Sequence, residues 1–197
     1  MMKPKNALLL AVTAVAAVAA MALPAAASAS VWKYEGTPLE KHVELALTGG
    51  EVIEVNEAVL VCETTATLTT EGGSAGQITA YEIDKGSCVG VAGNLEGCEV
   101  TEATATNLPW SVTVNSEDLT AEGVEVDHSF DAECPVESVE ASFPELTLTP
   151  EPEASSIRYF RFSEPEGTGK VDGKEAELGY FGTLQLAEED AGKFGIG

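Results

Sequence analysis

The chain has 197 residues, 44% of them hydrophobic, with 10 Lys and Arg against 33 Asp and Glu and a formal net charge of −23. That balance argues against nucleic acid and against an anionic membrane surface, both of which need cations. The hydrophobic share argues against a wholly disordered chain.

The first predicted element is a leader, residues 1–29. Lys3 and Lys5 precede an apolar run from Ala7 to Leu23, Pro24 ends it, and Ala27-Ser28-Ala29 offers small residues for cleavage. A charged start, an apolar middle and a small-residue end make a secretory signal. A membrane anchor is the alternative, but the run is mostly Ala and is cut by Pro24. Export then leaves 30–197 as a single secreted domain, outside the cell or in its envelope and free of the membrane. Without Lys3 and Lys5 its balance is 8 cations to 33 acids.

Beyond residue 30 the pattern has a period of two. Val43, Leu45 and Leu47 alternate with Glu44 and Ala46. Trp110, Val112 and Val114 share one face. Val124, Val126, His128 and Phe130 share another, and Ala176, Leu178, Tyr180, Leu184 and Leu186 a third. Such alternation marks half-buried antiparallel strands. Turns are expected at Thr48-Gly49-Gly50, Glu71-Gly72-Gly73-Ser74, Asp84-Lys85-Gly86, Asn115-Ser116 and Asp172-Gly173. The fold class is therefore all-β, an antiparallel sandwich or barrel of about ten to twelve strands after the N-terminal signal helix. Val139, Ala141 and Phe143 are odd-numbered while Leu146 and Leu148 are even, which predicts a bulge or bend at Pro144-Glu145. Pro150 to Ala154 reads as a long loop or a boundary between two lobes. Ile157 to Phe162 reads as a strand covered on both sides.

Four cysteines in an exported chain suggest two disulfides. If Ala92-Gly93-Asn94 is a hairpin loop, Cys88 falls opposite Cys98, which leaves Cys62 with Cys134. Zinc is disfavoured, because no Cys-x-x-Cys pair occurs and His is scarce.

Of the acids, 27 are Glu and only 6 are Asp. Calcium loops favour closely spaced Asp, so the acids read first as a solvated, self-repelling surface. A weak calcium site would use Asp127 and Asp131, or Glu188-Glu189-Asp190. No cofactor other than calcium is expected. Paired carboxylates could hydrolyse glycosides, but among so many Glu a pair at catalytic spacing carries no specificity. His128 reads as a hydrogen-bonded core residue and His42 as solvated. No nucleophile elbow occurs, and Gly167 to Gly173 lacks the full phosphate-loop pattern. No catalytic residue is assigned. The segment from Ser156 to Phe162 gathers both mature Arg residues with aromatics, so Arg158, Tyr159 and Arg161 are the candidate ligand platform for a glycan or protein partner.

The leader, the Val/Thr/Gly-rich strands, GVAGNLEGC and the closing GYFGTLQLAEEDAGKFGIG resemble small uncharacterised secreted β-rich proteins of actinobacterial type. The resemblance is one of style and implies no activity or site residue. The expected function is a secreted non-enzymatic binding or structural protein. An acid-active glycoside hydrolase and a calcium-dependent adhesin or inhibitor are the alternatives.

Overall fold

The computed structural model describes residues 30–197; the leader predicted over 1–29 lies outside the described residues. The strands are β1 (Trp32–Tyr34), β2 (Thr37–Pro38), β3 (Val43–Val55), β4 (Ala58–Gly72), β5 (Ala75–Ala92), β6 (Val100–Thr106), β7 (Trp110–Val114), β8 (Leu119–Phe130), β9 (Ser138–Glu153), β10 (Ser156–Val171), β11 (Lys174–Leu186) and β12 (Phe194–Ile196). Among the described residues the one helical turn is the 3-10 turn Gly93–Leu95.

Neighbours in the sheet run β11-β3-β4-β5-β7-β8-β9-β10, and β10 pairs back with β11. The sheet is therefore a closed antiparallel barrel, and closure removes the open edges that invite aggregation. The β6 strand also pairs with β8, so β6 and β7 share one place in the wall. The small strands β12, β1 and β2 extend from β10, and Trp32 is fully buried among them.

The barrel is apolar inside and acidic outside. Leu45, Leu47, Ile53 and Val55 point inward from β3, with Glu44 and Glu54 outward. This is the reverse of an outer-membrane barrel, whose outer wall is apolar. Among the described residues no helix is long and apolar enough to cross a membrane.

The predicted exchange of faces at Pro144-Glu145 is present: both residues are exposed between buried Phe143 and buried Leu146. The neighbouring strand makes the same exchange at Glu122-Gly123, where Gly123 takes φ 69°. The two strands therefore bend together, and their register holds from Glu122↔Glu145 to Val124↔Phe143.

Five expectations need correction. Thr48-Gly49-Gly50 is not a turn but the middle of β3. A Cβ at Gly49 would collide with the Thr183 carbonyl, so these glycines let two strands close the barrel seam. Asp84-Lys85-Gly86 is a bulged excursion within β5, where the register slips between Val61↔Val89 and Glu63↔Asp84. Gly86 N–H there bonds the Asp84 carboxylate, and Glu63 N–H bonds Ser87 Oγ. Pro150–Glu153 is no loop, because β9 continues through it and pairs with β10. The strand from Ile157 is covered on one side only. A register shift between Ile157 and Tyr159 turns Ile157, Phe160 and Phe162 inward and leaves Arg158, Tyr159 and Arg161 outside.

The fifth correction concerns the disulfides, which are Cys62–Cys88 and Cys98–Cys134, not Cys88–Cys98 and Cys62–Cys134. The β5 strand keeps pairing with β4 as far as Val59↔Ala92. Cys88 therefore stands beside Cys62 across that ladder, with Cα atoms 4.1 Å apart. After Ala92 the chain makes its 3-10 turn, buries Leu95, returns to β5 at Gly97, whose N–H bonds the Gly90 carbonyl, and then leaves toward β6 without continuing a hairpin ladder. That carries Cys98 to the turn after β8, where Asp131 N–H bonds the Glu99 carbonyl and Cys134 lies within bridging distance.

Candidate functional site

The barrel holds one buried polar cluster. Glu51 faces inward from β3, one cross-strand step from Cys62 on β4. Tyr81 reaches it from β5, His128 from β8 and Tyr180 from β11. Glu51 and His128 are each 1% exposed. His128 Nε2 lies 3.0 Å from Glu51 Oε1. The Tyr81 and Tyr180 hydroxyls donate to Glu51 Oε2 at 2.9 and 2.8 Å and lie 3.0 Å from each other. Cys62 Sγ is 3.9 Å from His128 Nε2, and His128 Nδ1 is buried with no partner.

A buried carboxylate is tolerated only when donors surround it. Here both phenols stay protonated, because burial first, and then the Glu51 charge, push their pKa well above the ordinary value of 10.0. His128 must donate through Nε2 to complete the set. The cluster has the parts of an acid–base site but no room for a substrate. The residual cavity beside Tyr81 and Tyr180, lined also by Trp110 and Phe162, is about 10 Å³, the space of about one water.

The outer wall carries two features. The first is an acidic cleft of about 730 Å³ across β8 to β11, with Glu125, Asp127, Glu140, Glu175 and Glu177 around Lys170. Lys170 Nζ bonds Glu140 Oε2 at 3.0 Å. Partial burial, then Glu140 and Glu125, raise the Asp127 carboxyl above the ordinary carboxylate range.

The second is an apolar band. Phe181, Val52, Val61 and Val89 form one cross-strand ladder over β11, β3, β4 and β5. Val61, Val89 and Val91 are 37%, 54% and 51% exposed. A groove of about 480 Å³ lies over the band at its Phe181, Val52 and Val61 end, bordered by Arg161, Ser163 and Thr183.

Of the residues singled out from sequence, Asp127 lies in the acidic cleft. Asp131 lies in the turn after β8, its carboxylate accepting from Cys134 N–H. Four residues apart along an extended chain, the two stand about 13 Å apart and do not converge. Glu188-Glu189-Asp190 lies in the turn before β12. Arg158, Tyr159 and Arg161 share the outer face of β10, where Arg161 Nη2 pairs with Glu151 Oε1 at 2.6 Å and Tyr159 is 37% exposed. His128 is the hydrogen-bonded core residue expected, and His42 is exposed.

Glu51 and the apolar band escaped the sequence reading. Continuing the odd-numbered face of Leu45 and Leu47 through Gly49 to Ile53 and Val55 places Glu51 inside; treating the glycines as a turn broke that count. The band is signalled by apolar residues on both faces at Val52-Ile53 and Val59 to Val61, and by Val89 and Val91 together on the outer face around Gly90.

The chain belongs to the alkane oxidation protein activator PraA/PraB-like family, whose model matches residues 2–157. That span holds the four cysteines, Glu51, Tyr81 and His128, while most of β10 and all of β11, with Tyr180, lie beyond it. No curated protein and no solved structure matches the chain.

Proposed function

We propose that this chain is an exported, non-enzymatic accessory protein that works through its outer wall, seating the apolar band against a hydrocarbon phase. The band carries the reading: a ladder of Phe181, Val52, Val61 and Val89 with Val91 beside it, on a barrel whose outer wall is otherwise polar and rich in carboxylates. A filled interior supports a surface role, and the family's description ties its members to alkane oxidation as activators rather than oxidants. Two disulfides and the leader read over 1–29 support an oxidising compartment beyond the cytoplasm.

Each half-exposed Val gains about 1 kcal/mol on burial in an apolar phase. Adsorption of the purified chain to n-alkane droplets tests the reading. Val61→Glu with Val89→Glu weakens adsorption about 30-fold, and added salt strengthens it for the parent chain by screening the acidic wall. Equal adsorption by the double variant rejects it. Exposed Tyr159 between Arg158 and Arg161 favours a second reading, a glycan platform on β10; retention on a glycan matrix that survives Tyr159→Ala removes it.

A further inference from the structure

The buried cluster and the disulfide beside it hold an unusual set of donors at one point of the wall. Cys62 Sγ, Cys88 Sγ and a ring nitrogen of His128 all lie within 4.8 Å of one another. Glu51 Oε1 is 3.0 Å from His128 Nε2, and Cys62 Sγ is 3.9 Å from the same nitrogen. In a tetrahedral zinc site, sulfur and nitrogen ligands stand about 3.5 Å apart and two sulfurs about 3.8 Å. The imidazole and the carboxylate are thus already near ligand spacing, and only the sulfur pair must open. Cys88 ends the excursion of β5 that leaves the ladder between Asp84 and Val89 and has no register partner on β4, so the sulfur pair can open without breaking a pair of that ladder. Tyr81 and Tyr180 hold Glu51 Oε2, which leaves Oε1 toward the site and supplies the outer support that ligating carboxylates need.

We propose that, once a thiol or phosphine reductant has cleaved Cys62–Cys88, the barrel wall binds one zinc-class divalent cation through Cys62, Cys88, His128 and Glu51. The reductant gives two electrons, and the two thiol protons come from water with a phosphine and from the reductant's own S–H groups with a dithiol. A phosphine leaves as its oxide and a dithiol as its disulfide. Metal binding then displaces both thiol protons, and the proton kept by the His128 ring resides on Nδ1, the atom that has no other partner. Sequence spacing hides this set, because Cys62 and Cys88 are 26 residues apart and only the β4–β5 ladder makes them neighbours.

The test is a cobalt titration of the purified chain after phosphine reduction, with Zn²⁺ as competitor and alkylation mapping of all four cysteines. A Cys98→Ser/Cys134→Ser variant confines the thiols to one pair. The expected result is a thiolate-to-cobalt charge-transfer band complete at one equivalent, lost on adding Zn²⁺, with Cys62 and Cys88 protected from alkylation. Tyr180→Phe weakens the metal about 10- to 100-fold through its hold on Glu51, and His128→Ala weakens it further. The unreduced chain gives no band. A reduced chain without the band, or an affinity unchanged by His128→Ala, overturns the proposal. If reduction unfolds the barrel, Zn²⁺ must restore its β-sheet circular dichroism, and failure to do so also overturns it.

Discussion

Replacing Glu51 with Leu keeps bulk inside the barrel but deletes the acceptor shared by Tyr81, Tyr180 and His128. The two phenols are 3.0 Å apart, so one can donate to the other. The second phenol and the imidazole N–H are left with poor acceptors only, the Thr64 hydroxyl beside Tyr81 and Cys62 Sγ 3.9 Å from Nε2. A change of tautomer does not rescue the ring, because Nδ1 has no partner either. Each orphaned buried donor costs about 1–3 kcal/mol, so the pair costs about 4 kcal/mol. For a chain of this size that lowers Tm by about 8–16 °C. Glu51→Gln keeps a carbonyl for both phenols and turns an amide N–H toward Nε2 of the other tautomer, so its cost is about 1 kcal/mol. Denaturant unfolding with the disulfides intact, at unchanged slope, measures both variants. A Gln variant as unstable as the Leu variant, or a Leu variant losing less than 1 kcal/mol, refutes the shared-acceptor argument.

The raised pKa of each buried phenol makes alkaline stability a second test. Folded Tyr81 and Tyr180 keep protons that the unfolded chain releases near 10.0. Their contribution is therefore complete below that pH and falls as pH rises above it, by about 1.4 kcal/mol per tyrosine per unit. Ultraviolet titration should show these two ionising only as the barrel unfolds, and early ionisation of all four tyrosines contradicts this. Gly49→Ala forces a Cβ onto the Thr183 carbonyl and should cost about 3 kcal/mol, read as a Tm loss of about 6–12 °C; a neutral result would mean the seam tolerates the methyl. Replacing Cys62 and Cys88 by Ser should cost about 3–4 kcal/mol in the chain-entropy model, and non-reduced peptide mapping should link Cys62 to Cys88 and Cys98 to Cys134. Millimolar calcium should raise Tm no more than sodium chloride of equal ionic strength, since Asp127 and Asp131 do not converge; a larger rise would make the acidic cleft a calcium site.

Alternation made most of the wall legible. Trp110, Val112 and Val114, the run from Val124 to Phe130, and the face from Leu178 to Leu186 all point inward as their spacing requires. What misled was glycine. A Gly-Gly pair marks a turn when it follows hydrophobic periodicity, but in a strongly coiled barrel it also marks where two strands pass too closely for side chains. Gly49-Gly50 is of the second kind and hides Glu51, whereas Gly86 sits in a bulge where a Cβ would meet only the Asp84 carboxylate. The disulfides failed for a related reason. Local hairpin geometry pairs Cys88 with its sequence neighbour Cys98, whereas the long ladder between β4 and β5 decides its partner.

The seam joins residues 47–55 to residues 178–186, so the first long strand of the wall waits for the last. Pairing across such a separation is slow, because chain entropy must be lost before any contact rewards it. A chain emerging N-terminus first can form the β4–β5 hairpin and its Cys62–Cys88 bridge at once, yet it exposes two unpaired rims until β11 arrives. A chain cut at residue 157, the end of the family match, would keep both rims for good and should self-associate through them. The outward carboxylates on those early strands, Glu44, Glu54, Glu63 and Glu82, then act before folding is complete, holding unfinished copies apart.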